Sequence, residues 1–168
     1  MKTLVLIRHA KSSWKHHELK DYQRPLNGRG RRDAPLMAER FSHLEPKPDL
    51  LVSSHAVRAQ ETAKAFAQDL GYPVERIKLN ESIYEASSET LLDIIGELSD
   101  KCERVALFGH NPGFTNLVET LTAENIINLP TAGVAVIDLP IKKWKAVKKV
   151  AQDQSGKLVY HSYPKLEE

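Results

Sequence analysis

The chain has 168 residues, one domain's length, and its 24 Lys and Arg against 22 Asp and Glu leave a formal charge of +2. That total argues against a general nucleic-acid binder or a membrane-surface protein. Hydrophobic residues make up 41% and charged residues 27%, a globular rather than disordered composition, and the single cysteine, Cys102, excludes an internal disulfide and suits a reducing cytoplasm. No apolar run approaches the ~18 residues of a membrane span, so no membrane association is expected.

In chain order, Leu4-Val5-Leu6-Ile7 reads as a short strand buried on both faces. Residues 27–41 are expected to be helical, with Pro35 kinking the helix or marking its start. Asp49 to Val52 is a second strand. In Ala56 to Leu70 the residues Ala59, Ala63, Phe66 and Leu70 share one helical face, and Gly71 stands at the expected stop. Val74 to Leu79 is a weaker strand. Leu91, Ile95 and Leu98 give a helix after Ser87-Ser88, Val105 to Phe108 a further strand, and Phe114 to Leu121 a helix after Pro112-Gly113. Val134 to Ile137 and an edge strand at 157–161 complete the set. Between them, Lys142 to Lys149 reads as a solvated strand edge with protective lysines, contact with nucleic acid or an acidic protein being the alternative. Strands alternating with helices predict one domain over 1–168, a three-layer α/β/α fold with a mostly parallel central sheet.

In such a sheet, ligands bind beyond the carboxyl ends of the strands. Three of those ends carry cations or imidazoles: Arg8-His9, Ser53-Ser54-His55 with Arg58 close behind, and Gly109-His110-Asn111-Pro112-Gly113. Arg58 falls in the first turn of its helix, where the dipole disfavours a cation by about 0.3–1 kcal/mol. A bound anion reverses that sign; an Arg58–Glu61 pair offsets it without one. Phosphate suits the set, because arginine binds two phosphoryl oxygens at once and a neutral imidazole is a competent nucleophile. The alternative for the two histidines is a metal site, but no third ligand stands at an obvious spacing, so neither metal nor cofactor is expected.

Charge is also segregated along the chain. Residues 1–32 carry +7, residues 33–141 carry −9 and residues 142–168 carry +4. The loop from Ser12 to Arg32 is expected to border the pocket, with Arg24, Arg29, Arg31 and Arg32 positioned to meet a second phosphate or an acidic protein face. Gly28 and Gly30 either turn the chain there or free amides toward an anion.

LVLIRHAKSSW (4–14), SSHAVRAQETA (53–63) and VALFGHNPG (105–113) together resemble the histidine phosphatase superfamily, the phosphoglycerate mutase-like group. RPLNGRG (24–30), the Ala-Lys after His9 and the closing Tyr163-Pro164-Lys165 look most like its small SixA-like phosphohistidine phosphatases. The resemblance implies a phosphoglycerate mutase-like fold, His9 as nucleophile, and Arg8, Arg58 and His110 as the phosphate pocket. It also implies Glu81, in Leu79-Asn80-Glu81, as general acid with Glu85 second, although a solvent-facing loop glutamate is the alternative. Ser12 and Lys15 occupy places where relatives bind substrate, and Arg24 joins them as a substrate-binding candidate. Lys11 departs from the acidic residue of the mutases, which argues against mutase activity.

The expected function is hydrolysis of phosphoryl groups through a phosphorylated His9, on a phosphohistidine protein. The alternatives are a phosphomonoesterase acting on sugar phosphates or nucleotides, and a noncatalytic module that captures phosphoproteins. His16, His17, His43, His55 and His161 read as surface or packing residues.

Overall fold

The computed structural model describes residues 1–166. Its elements are β1 (Lys2–Arg8), α1 (Gly28–Ser42), β2 (Leu50–Ser53), α2 (Val57–Leu70), β3 (Lys78–Leu79), α3 (Ser88–Gly96), β4 (Arg104–Gly109), α4 (Gly113–Thr122), β5 (Val134–Leu139), α5 (Val147–Asp153) and β6 (Lys157–Ser162). They form one six-stranded sheet in the order β3-β2-β4-β1-β5-β6. The first four strands in that order run parallel, while β5 runs antiparallel to β1 and β6 antiparallel to β5.

The apolar run in β1 shows why the sheet has two covered faces. Successive side chains point to opposite sides. Val5 and Ile7 join Phe41, Phe66 and Phe108 in a core under α1 and α2, while Leu4 and Leu6 join Leu107, Phe114 and Trp144 in a second core under α3, α4 and α5. The three-layer, mostly parallel α/β/α architecture agrees with the expectation from strand and helix alternation.

Register then places the site. β1 pairs with β4 so that Arg8 faces Gly109, and β2 pairs with β4 so that Ser53 faces Phe108. The three strands therefore stop level, and two further bonds, His9 N–H to Gly109 O (3.0 Å) and Ser54 N–H to Phe108 O (2.9 Å), hold the residues just past them side by side.

Several local expectations are corrected. The helix expected over 27–41 starts at Gly28, not at Pro35, because the Asn27 side chain accepts a hydrogen bond from Gly30 N and Pro35 is carried inside the helix. Gly30 serves neither a turn nor an anion: a Cβ there would lie 2.1 Å from the Lys11 carbonyl oxygen, so the residue allows α1 to pack on the segment after β1. Gly71 ends α2 in the left-handed region (φ 68°), as expected. α3 stops at Gly96, two residues short of Leu98, which still packs partly buried on the core.

The 74–79 strand shrinks to the two exposed residues of β3, preceded by a 3-10 turn at Val74–Arg76. Val74 and Ile77 still pack partly buried against the core, but from the 3-10 turn and the residue after it rather than from a strand. The 142–149 run is not a strand edge. It forms a 3-10 turn (Trp144–Ala146) leading into α5, because Trp144, Val147 and Val150 recur at helical steps of three and are all buried. The 157–161 edge strand is present as β6.

Candidate active site

Arg8, His9, Arg58 and His110 converge at the carboxyl ends of β1 and β4 and the first turn of α2. His9 and His110 lie with ring centroids 5.3 Å apart. Both are nearly buried, each 8% exposed. Burial, the largest cause for each, together with the nearby Arg8 and Arg58 charges, pushes both imidazoles down to about 3, so they are neutral at physiological pH.

Hydrogen bonds set the ring tautomers. His9 Nδ1 lies 2.7 Å from Ala10 O, a group that only accepts, so Nδ1 carries the proton and Nε2 keeps its lone pair. His110 Nε2 lies 2.8 Å from Ser54 Oγ. That hydroxyl oxygen accepts Ala56 N–H at 3.1 Å, and among the described residues its own proton has no acceptor other than His110 Nε2, so the hydroxyl donates to Nε2. Nδ1–H of His110 is then a donor. It is buried and has no hydrogen-bond partner, as are Arg8 Nε and Arg58 Nε. Buried donors left unpaired are costly, and three of them in one cluster are what an incoming oxyanion satisfies.

The neighbouring elements hold these groups. Arg8 Nη1 donates to Leu129 O at 3.0 Å, and Asn111 Nδ2 donates to the same carbonyl at 2.8 Å. Asn111 Oδ1 in turn accepts from Thr115 N and Thr115 Oγ1, tying this wall to α4. Burial and the Arg58 charge draw the Arg8 guanidinium below its usual value.

Arg58 donates to Asp21 O (2.8 Å) and Asp21 Oδ2 (3.0 Å). The Arg58–Glu61 pair, the alternative to a bound anion, does not form, since Glu61 Oε1 accepts the backbone N–H of Leu26 instead. Asp21 also accepts from Tyr84 Oη and, at 3.0 Å, from Arg24 Nε. Burial by itself would raise the Asp21 carboxyl; the hydrogen bonds from Tyr84, Arg58 and Arg24 outweigh it and hold the group at about 2. Burial and the Asp21 carboxylate raise the Tyr84 phenol.

The other predicted residues are placed differently. Ser12 and Arg24 are buried but bonded to each other, Arg24 Nη1 donating to Ser12 Oγ (2.9 Å) and Ser13 O (3.0 Å), so they brace the loop. Lys15 is exposed. Glu81 and Glu85 are both exposed, Glu81 in the 3-10 turn Glu81–Ile83 and Glu85 at the lining of a cavity of about 420 Å³ together with Ser87, His110, Asn111 and Asn116. His55, expected to be surface or packing, is half-buried in a file of rings, 5.1 Å from Tyr22 and 5.3 Å from Tyr84, and Tyr84 meets His110 edge-on at 5.4 Å.

Sequence reasoning missed Asp21, Ser54 and Tyr84. Asp21 had a signal, being one of only two acids among the first 32 residues. Among the described residues, no group of three His, Cys, Asp or Glu side chains is arranged to hold a metal ion, and no helix is long and apolar enough to cross a membrane.

A neutral imidazole with a free lone pair, surrounded by unpaired cationic and neutral donors at the ends of parallel strands, has the make-up of a histidine-nucleophile phosphatase. The chain belongs to the histidine phosphatase superfamily, branch 1, whose sequence model matches residues 4–111, a span that includes all four converging residues. An uncharacterized chloroplastic protein of Arabidopsis thaliana is 32% identical over 150 residues, covering 84% of this chain and 68% of that protein. Among solved structures, a provisionally assigned phosphohistidine phosphatase SixA from Agrobacterium tumefaciens is 27% identical with a TM-score of 0.79, covering 97% of this chain and 98% of that one. The protein histidine phosphatase SixA complexed with tungstate has the same fold at 18% identity and a TM-score of 0.79, covering 96% and 97%. The chain is thus SixA-like, with the phosphoglycerate mutase-like fold.

Proposed function

We propose that this protein removes the phosphoryl group from a phosphohistidine of another protein by way of a covalent intermediate on His9. The observation that carries this reading is the pairing of His9 Nε2, neutral and with its lone pair free, with the three unpaired buried donors Arg8 Nε, Arg58 Nε and His110 Nδ1. The Nε2 lone pair forms a bond to phosphorus as the bond to the leaving nitrogen breaks. The leaving imidazole takes the electron pair and departs neutral when its other nitrogen is protonated. His9, now a phosphoimidazolium, keeps its Nδ1 proton on Ala10 O, and water then displaces it as neutral imidazole. Both arginines and His110 stabilise the transferring oxygens, so the chemistry needs no metal ion.

His9→Ala is expected to lower turnover at least about a thousandfold with the thermal midpoint nearly unchanged. Rapid quench of wild type should trap an acid-labile, alkali-stable phosphoprotein, and EDTA should leave the rate unaltered. Full activity in His9→Ala, or no trapped intermediate in single turnover, overturns the proposal.

A second reading, phosphomonoester hydrolysis, is favoured by Glu85. A sugar alkoxide needs an external proton, and Glu85 lines the cavity beside His110 where a carboxyl would deliver one. Glu85→Gln and Glu81→Gln separate the readings: a loss of ester hydrolysis with phosphohistidine turnover spared identifies which glutamate is the acid.

A further inference from the structure

Trp14 is 68% exposed, so most of its indole is open to a partner. One face of the ring rests against a fixed group. The Arg24 guanidinium lies 3.5 Å from the ring centroid, and Arg24 is itself only 7% exposed and fixed by Ser12, Ser13 and Asp21. The backbone beneath is equally fixed, since Ser13 N–H donates to Pro25 O at 2.8 Å and Lys15 N–H to Ser13 Oγ at 3.1 Å. One face of the indole is therefore occupied by Arg24 while most of the side chain remains open to solvent. An ordered aromatic loses little conformational entropy on binding, and Trp is among the side chains that dominate interface energies.

The surroundings define the partner's charge. Lys11, Lys15 and Lys20 are exposed and form no salt bridge among the described residues, and the one acid of the segment, Glu18, lies 3.8 Å from His16. A shallow cavity of about 220 Å³ beside Trp14 is lined by His16, His17, Leu19, Asp21 and Arg24. This surface is continuous with the phosphate site, because Asp21 binds both Arg24 under Trp14 and Arg58 in the pocket.

We propose that the segment Lys11–Lys20, centred on Trp14, is the docking surface for the acidic, apolar-tipped flank of a histidine-phosphorylated protein. The inference rests on the reading of protein phosphohistidine as substrate. A single small phosphate ester fills the pocket but cannot also span an indole and lysines spread over ten residues.

The test compares four substrates with the full chain: a phosphohistidine peptide flanked by Asp, Glu and Leu, the same peptide flanked by Lys, free phosphohistidine, and p-nitrophenyl phosphate. Wild type should prefer the acidic peptide over the basic one by about tenfold in kcat/KM at low salt, the preference shrinking as salt is raised. Trp14→Ala should raise KM for the acidic peptide about five- to tenfold with kcat unchanged, Trp14→Phe should restore most of it, and Lys20→Glu should cut the flank preference about threefold. Free phosphohistidine should turn over at the wild-type rate in all three variants.

Equal loss on free phosphohistidine and on the peptide would mean that Trp14 acts through Arg24 and Asp21 on the pocket, and would overturn the docking role. Turnover of free phosphohistidine with no flank preference overturns the surface while leaving the catalytic reading intact. Turnover of p-nitrophenyl phosphate with no phosphohistidine form hydrolysed overturns the substrate reading and the surface with it. Protection of Trp14 from a soluble quencher by single-stranded DNA at physiological salt would assign the surface to nucleic acid instead; Trp144, fully buried, does not obscure that signal.

Discussion

Two segments of this chain look alike in sequence: Lys11 to Lys20 around Trp14, and Lys142 to Lys149 around Trp144. In the structure they are opposites. Trp144 is fully buried, its indole N–H donating to Cys102 O at 2.8 Å and its backbone N–H to Asp100 Oδ1 at 2.8 Å, and the lysines beside it ride on a helix. Trp14 is exposed and rests on an arginine. What separates them is spacing. Trp144, Val147 and Val150 form a helical apolar stripe that can be buried against α3 and α4, whereas Trp14 follows two serines and precedes Lys-His-His-Glu, with no second apolar residue in step to bury with it.

The largest expected effect follows directly. Trp144→Ala should destabilise the protein by about 3–5 kcal/mol, read from chemical denaturation, because it opens a cavity in the core and leaves the Cys102 carbonyl sharing one donor fewer. Activity per folded molecule should be unchanged. Trp14→Ala should shift stability by no more than about 0.5 kcal/mol, the range of surface substitutions. Equal stability losses for the two would erase the distinction between a core tryptophan and a surface one.

The next effect concerns the carboxylate that makes the first segment more than a basic loop. Asp21 gathers Arg24, Arg58 and Tyr84. Its folded value, about 2, lies below the ~3.9 of an unfolded aspartate, so its contribution to stability is present above pH 4 and is lost as the pH falls toward 2. The carboxyl is half exposed, so solvent screening limits that contribution to about 1 kcal/mol. Asp21→Asn should therefore flatten the stability profile between pH 4 and 2 and loosen Arg58, raising KM for phosphohistidine more than it lowers kcat. A variant with the wild-type acid profile would show that the cluster around Asp21 contributes nothing to folding.

How much of this was legible in the sequence depended on range. His9 and His110 were readable because each follows an apolar run at a strand end, and the carboxyl ends of parallel strands are where such folds bind ligands. Arg58 was readable from its unfavourable position at a helix start. Its true partner, Asp21, lies 37 residues earlier in the chain, and no periodicity reports a bond of that span. Ser54 was visible in the Ser-Ser-His string, but its role depends on the β2–β4 register that sets it beside His110. The turn at Trp144–Ala146 and the start of α5 are hard to see because the lysines of 142–149 suggest a solvated edge, while the three-residue step of Trp144, Val147 and Val150 carries the real signal.

The smallest effect tests whether charge alone matters in either segment. Lys148 reaches Asp93 of α3 at 2.6 Å and Lys149 reaches Asp153 one turn on at 3.3 Å, and all four side chains are well exposed. Exposed pairs of this kind contribute little, because water screens the attraction and two long side chains must be held in place. Lys148→Ala and Lys149→Ala, singly or together, should leave the thermal midpoint within experimental error and the turnover of every substrate unaltered. Lys20→Ala removes one charge of the same kind and should be equally silent in the melt, yet it should alter the rate on an acidic phosphohistidine peptide. If all three lysine variants behave alike in both assays, the two basic segments are equivalent solvated surfaces and the asymmetry between their tryptophans has no functional counterpart. A rate change confined to Lys20 instead assigns substrate contact to the first segment, since net charge falls in every variant while only one of the altered sites adjoins Trp14 and the Asp21 link to the pocket.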